Sequence, residues 1–295
     1  MQNKKAVLAT LFAALLFATS ATSRTLSGVD ASSITIATVR LVVGSLGLLV
    51  FAKFSIADFS MTRLLKKKII WIMGFGVAGY QAFFFIGTGL TGVAIGTLSS
   101  LALAPLMAGL LSWVWHGIKP SAAWLISTLI ALVGLVVLSW SGLEDSNINL
   151  LGVVASLLAG AAYAIYTVVG VNLSQSGESA TSVLAVSFSI GAFVLLIVSG
   201  ANFAELANTN GILLTLWLGF VATSFAYVLF GIGISKLSAG TVATLNLAEP
   251  LAASFLGFVV LHESISALSA VGCALIAASL AFLAINTAKE AANDI

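Results

Sequence analysis

"GFGVAGYQAFFF" at residues 74–85 returns, loosened but legible, as "GFVATSFAYVLF" at residues 219–230. Extended without a gap, the match lays residues 74–140 on 219–285 with 13 of 67 positions identical, where composition alone would give roughly six. Gly74 falls on Gly219, Phe85 on Phe230 and Pro105 on Pro250. "LALAPLMAGLL" (101–111) falls on "NLAEPLAASFL" (246–256). The chain is therefore a duplication. Its halves divide within "SGLEDSNIN" (141–149), giving a first unit 1–142 and a second 143–295.

Each half must live out of water. Of 295 residues, 60% are apolar and 7% charged, against roughly 25% charged in a soluble domain. Mean hydropathy is +1.15. A helix needs about 20 apolar residues to cross ~30 Å of hydrocarbon. Ten runs qualify: 5–23, 33–52, 69–90, 92–115, 121–140, 148–172, 180–200, 211–234, 238–261 and 266–286. Five spans per half is an odd number, so the second copy inserts upside down. The predicted fold is an all-α membrane protein, ten transmembrane helices arranged as two inverted five-helix repeats. Spans 3–4 and 8–9 are joined so directly that each pair must form a tight antiparallel hairpin. The first run, with Lys4 and Lys5 ahead of it and small residues from Ala18 to Ser23, also fits a cleavable signal. The duplication requires it as span 1.

Positive charges set the orientation, because cytoplasmic loops collect Lys and Arg. With the N-terminus inside, Lys4, Lys5, Lys53, Arg63, Lys66, Lys67, Lys68, Lys119, Lys236 and Lys289 fall on the cytoplasmic side, and only Arg24 falls outside. Asp30, Glu144, Asp145, Glu205 and Glu263 all fall outside. Both termini are expected in the cytoplasm. Trp71, Trp113, Trp115 and Trp124 cluster at cytoplasmic ends and Trp140 at an outer end, where they read as interface anchors.

With these features the chain resembles the EamA-type branch of the drug/metabolite transporter superfamily over essentially its whole length. The resemblance rests on "TIATVRLVVGSLGLL" around Arg40 in span 2, "SSLALAPLMAGLLSWVW" in span 4 and "NLAEPLAASFLGFVVLHE" ending span 9. His262-Glu263 fits loosely the Gly-Glu-like pair that closes span 9 in such proteins, while Trp115-His116-Gly117 at the end of span 4 lacks the acid. The resemblance implies a bacterial inner-membrane exporter of amino acids, aromatic or other neutral ones, or of related metabolites. It also implies a central cavity lined by spans 1–4 and 6–9, with spans 5 and 10 peripheral.

Arg40 and Glu249 are the only charges well inside spans. Each costs roughly 2.5–3.5 kcal/mol on insertion scales unless it is paired or faces water. Glu249 can meet a substrate amine or a coupling proton, and Arg40 a carboxylate. Alternatively, the two pair with each other, Arg40 snorkels, or Glu249 caps backbone freed by Pro250. Tyr80, Tyr163, Tyr166 and Tyr227 lie inside spans, where a phenol hydroxyl needs a partner. With Gln81, Ser99 and Asn246 they are candidates to line a pocket for a small zwitterion, or else they bond helix to helix. Pro105 and Pro250 are candidate hinges or kinks, since each lacks a backbone donor. Gly152, Ser156, Gly160 and Ala164 on span 6, Thr10, Ala14, Ala18 and Thr22 on span 1, and the Gly92/Gly96 pair read as close-packing stripes.

No nucleotide loop, metal-ligand cluster or nucleophile motif stands in the sequence, and His116 and His262 fall at opposite faces, so neither an enzyme nor a cofactor is predicted. Cys273 stands alone. The expected partners are a small-molecule substrate and the lipid bilayer, not nucleic acid; no oligomeric state follows. The function predicted is secondary transport of a small metabolite, most simply amino-acid export by alternating access. The alternatives are a carrier of amines, drugs or nucleotide sugars, or a channel. Reporter fusions at both chain ends should report the same, cytoplasmic side; ends on different sides would break the inverted repeat.

Overall fold

A computed structural model describes residues 2–117, 119–144, 149–264 and 266–293. Residues 145–148 and the side chains of 141–144 lie outside this description, and with them Glu144, Asp145 and most of the dividing segment. Among the described residues ten helices are long and apolar enough to cross a membrane. They are Asn3–Ser27, Ser33–Ser55, Lys68–Thr91, Val93–His116, Ala122–Trp140, Leu150–Gln175, Ala180–Val198, Thr209–Ile234, Ala239–Leu261 and Ala267–Lys289, numbered here as spans 1–10.

Local chemistry sets the ends. Ser32, Asn149, Asn208 and Ser238 each accept the backbone N–H three residues on, the usual remedy for the orphan donors of a helix start. Between spans 3 and 4 a single residue, Gly92, turns the chain with φ 85°, a conformation open to glycine and costly elsewhere. A Cβ there would meet nothing within 4 Å. Gly92 is thus a turn residue, not half of a packing pair with Gly96, because the hairpin demands its backbone freedom first.

The helix pairings repeat with the halves exchanged. Span 3 packs on span 6 as span 8 packs on span 1. Span 4 packs on span 6 as span 9 packs on span 1, and span 3 meets span 7 as span 8 meets span 2. Pairs 2·7, 4·9 and 5·10 are their own counterparts, so they lie along the pseudo-twofold axis. This is the inverted repeat in three dimensions.

Close approach of backbones holds these pairs together. A Cβ on Gly87 of span 3 would overlap Ser156 Oγ and sit 2.8 Å from Ser156 N. One on Gly160 would stand 3.1 Å from Leu103 Cβ of span 4. Across the pseudo-twofold, Gly233 of span 8 faces Thr10 of span 1 in the same way. Ser156 and Thr10 are fully buried, and each donates to the carbonyl four residues back, so neither hydroxyl is stranded. Trp124 departs from the anchor role expected of it. Only 7% exposed, its indole wedges between Gly109 of span 4 and Gly240 of span 9, because two glycines there leave a ring-sized gap.

Two irregular stretches interrupt the second half. Trp217–Phe225 in span 8 is a π-helix, with Thr223 and Ser224 hydroxyls donating to carbonyls five residues back. Ser224 also bonds Gly44 O of span 2. Span 9 breaks between Ala239–Leu245 and Ala248–Leu261, where Leu247 N–H turns to Thr244 O and Glu249 N–H to Asn246 O. Pro250 lies in the first turn of the second piece, where its missing donor costs little; Pro105 lies inside an unbroken helix.

The links between spans form matching ties at the two faces. Asn3, Ser121, Lys236 and Asn286 line one small cavity, which places the start of span 1, the start of span 5, the 8–9 link and the end of span 10 on one face. On that face Glu178 takes Lys67 Nζ at 2.6 Å and Arg63 at 2.9 Å. The Lys67 ammonium, more than Arg63, holds the Glu178 carboxyl below the usual carboxylate range against the opposing effect of its burial. The tie is therefore formed at neutral pH and lost as pH falls through that lowered value. At the opposite face Glu205 accepts Ser32 N–H at 2.8 Å.

Gly87→Leu should lower the melting midpoint in detergent by several degrees, since overpacking of this kind costs about 1–3 kcal/mol. Gly89→Leu on the same helix, where a Cβ meets nothing within 4 Å, should melt like the parent. Equal melting of both variants would remove close packing as the cause.

Candidate functional site

Four tyrosines from three spans meet at one place. Tyr163 and Tyr166, three residues apart on one face of span 6, have ring centroids 4.9 Å apart. Tyr80 of span 3 stands edge-on to them at 5.7 and 6.2 Å. The Tyr227 hydroxyl of span 8 lies 3.3 Å from that of Tyr166. Asn246, at the break in span 9, donates its amide N–H to the Tyr163 hydroxyl. Phe17 of span 1 and Phe188 of span 7 close on Tyr227 at 4.9 and 4.2 Å, with Phe230 at 5.3 Å.

Arg40 of span 2 and Glu249 of span 9 join this cluster. Both lie within electrostatic reach of Tyr80 and Tyr227 and of each other, and Glu249 also reaches Tyr163. Five helices contribute the polar side chains and spans 1 and 7 add Phe17 and Phe188, so the cluster is interior to the bundle and not a lipid-facing side. Arg40, Glu249 and Tyr80 are only half-buried there, which means they border accessible space. Glu249 stands in the first turn of its half-helix, where the helix dipole favours a carboxylate.

The two charges do not neutralise each other by contact. Arg40 and Glu249 form no ion pair; the pairs formed among the described residues lie at Glu178. Arg40 Nε is buried without a hydrogen-bond partner. A guanidinium and a carboxylate left unbonded within electrostatic reach of each other are costly away from water.

Of the residues expected at the site, Arg40, Tyr80, Tyr163, Tyr166, Tyr227, Asn246 and Glu249 come together. Gln81 is buried and follows Tyr80 in the chain, and Ser99 is half-buried on span 4, but neither side chain hydrogen-bonds to the described residues of the cluster. Phe17, Phe188 and Phe230 were not foreseen. With 18 phenylalanines in the chain, nothing in the sequence marks these three as pocket wall.

Two cavities flank the cluster on its opposite sides. One, about 120 Å³, is lined by Ser112, His116, Asn172, Gln175 and Ser238 on the face that carries the chain ends, where His116 Nε2 lies 2.7 Å from Asn172 Nδ2. The other, about 570 Å³, lies towards the far face between Thr22 and Leu26 of span 1, Leu213 and Trp217 of span 8 and Leu256 of span 9. Leu256 is seven residues beyond Glu249, or about 10 Å along a helix. Among the described residues no group of three or more His, Cys, Asp or Glu could hold a metal.

Comparisons with known proteins agree with this architecture. Residues 4–140 and 150–285 match the model of the "EamA-like transporter family". "Uncharacterized transporter YwfM" of Bacillus subtilis is 31% identical over 285 residues, covering 95% of this chain and 94% of that protein. "Threonine/homoserine exporter RhtA" of Salmonella typhimurium is 29% identical over 157 residues, or 52% of each chain. A solved crystal structure superposes with a TM-score of 0.79 at 20% identity, covering 96% of this chain and 98% of its own, so the fold is shared.

A buried charge without a bonded partner does not stabilise the folded protein. Arg40→Met should leave the melting midpoint of the ligand-free protein in detergent unchanged or raise it. A fall of more than a few degrees would show that Arg40 holds the fold.

Proposed function

The chain belongs to the EamA-like transporter family, and from that premise we propose that it exports neutral amino acids held between Arg40 and Glu249. Its family is one of transporters rather than enzymes, so it is a multi-pass membrane transporter of small molecules, seated in lipid. The single observation behind the finer reading is the pair of unbonded opposite charges within one five-helix cluster. An α-amino acid offers a carboxylate to the guanidinium, which binds it as a planar fork, and an ammonium to Glu249. The tyrosine and phenylalanine rings wall the remainder. Resemblance to an exporter named for threonine and homoserine supports amino acids as the cargo.

Access alternates as the inverted halves, 1–142 and 143–295, rock about their common axis, the behaviour that inverted repeats make available. The flanking cavities are then the two ends of one path. The Lys67–Glu178–Arg63 tie at one face and the Glu205–Ser32 tie at the other open in turn. The chain lies in the bacterial inner membrane with both termini cytoplasmic, which puts Glu178 among the ten inner positive charges.

A second reading has one observation in its favour: aromatic rings around a carboxylate also suit an organic cation. Arg40 weighs against it, since its fixed positive charge repels such a cargo.

Purified protein in liposomes should show saturable amino-acid counterflow. Glu249→Gln should reduce it at least a hundredfold at normal protein level, and wild-type flux in that variant would remove Glu249 from the mechanism. Arg40→Gln separates the two readings: amino-acid flux falls if the carboxylate is bound there, whereas amine flux rises if the cargo is a cation.

A further inference from the structure

Asn246 holds the least satisfied neutral group of the cluster. It is 7% exposed and sits in the two-residue break of span 9, three residues before Glu249. Its Nδ2 donates to Tyr163, but Oδ1 is buried and bonds nothing. Among the described side-chain atoms left this way, only Arg40 Nε and Asn246 Oδ1 belong to residues of the tyrosine–glutamate cluster. The others are serine and threonine hydroxyls and the wedged Trp124 indole. A hydroxyl can swing towards the carbonyl of its own preceding turn; a carboxamide held by Tyr163 has no such escape. Turning the amide over does not help, because its other half is then stranded.

We infer that Asn246 is a specificity-determining residue, and that the preferred cargo is an amino acid bearing a short side-chain hydroxyl. A hydroxyl donates and accepts at one atom, so it answers the unpaired half of the amide in either orientation. The Glu249 N–H bonds the Asn246 carbonyl across the break, which keeps the two residues one tight turn apart, so a group that meets Asn246 while its ammonium meets Glu249 stands only a few bonds from the α-carbon. A β- or γ-hydroxyl fits that reach. A cargo without one leaves the Asn246 amide as unbonded as it is in the empty protein, whereas a hydroxyl supplies the missing partner. The difference between the two favours the hydroxyl-bearing cargo over its isostere. The inference rests on the amino-acid reading above and adds a third contact to it.

Threonine and valine, equal in shape and different in one hydroxyl, supply the test. Full-length protein in liposomes should move threonine with a kcat/KM about ten- to a hundredfold above valine. Homoserine should exceed 2-aminobutyrate in the same sense. Asn246→Leu should bring the threonine-to-valine ratio close to one by loss of threonine transport. Wild-type protein that carries valine as well as threonine overturns the inference while leaving amino-acid export standing. So does a preference that survives in Asn246→Leu. If that variant does not fold, the wild-type ratio alone decides whether a hydroxyl is read, and Asn246→Ser, which keeps a small polar group, decides whether Asn246 reads it. If no amino acid moves at all, the underlying reading has failed, and this one with it.

Discussion

In hydrocarbon no water is available for a stranded backbone group, and no hydrophobic effect presses one helix on another. Helices must therefore come close enough for dispersion and for hydroxyls that cover their own carbonyls. In this chain the condition is met by setting glycine on one helix against a small hydroxyl on its neighbour. Gly87 faces Ser156 and Gly233 faces Thr10, while Gly44 and Gly47 of span 2 lie against Thr223 and Ser224 of span 8. These contacts fix which helix packs on which. They also fix the depth at which side chains of different spans meet, and the site depends on that depth.

On this symmetric frame the cluster is asymmetric. A shift of 145 positions carries Tyr227 back to Ala82, Asn246 to Leu101 and Glu249 to Ala104, and Tyr80 forward to Phe225. The scaffold was duplicated; the polar groups were not. Arg40 comes from the first half and Glu249 from the second, so a ligand between them bridges the two bodies that would have to move. A carrier gains from such an arrangement, because binding is then coupled directly to the relative position of the halves.

The irregular backbone lies where the site is. Span 8 runs as a π-helix as far as Phe225, two residues before Tyr227, and span 9 breaks at Asn246, whereas Val93–His116 in the first half is continuous despite Pro105. Departures from regular backbone at membrane depth survive where protein or a polar cavity satisfies the freed groups. Their concentration around Asn246 and Glu249 is what a binding site built from half-helix ends produces.

Much of this was open to view in the sequence. Hydropathy runs gave ten spans, since crossing lipid admits only helices of that length, and the match of 74–85 with 219–230 gave the inverted duplication. Arg40 and Glu249 stood out because charge is rare in such a chain. Four tyrosines away from the interface were conspicuous for the same reason. Tertiary structure alone decided that those tyrosines share one place with both charges, that Arg40 and Glu249 stay unbonded, and that Phe17 and Phe188 complete the wall. It alone put the break at Asn246 ahead of Pro250, made Gly92 a turn and buried Trp124 between two glycines. The reason is physical: polarity in an apolar segment can be read residue by residue, but in a chain where nearly every side chain is apolar, the helix face that each presents is set by its neighbours and leaves no periodic mark in the sequence.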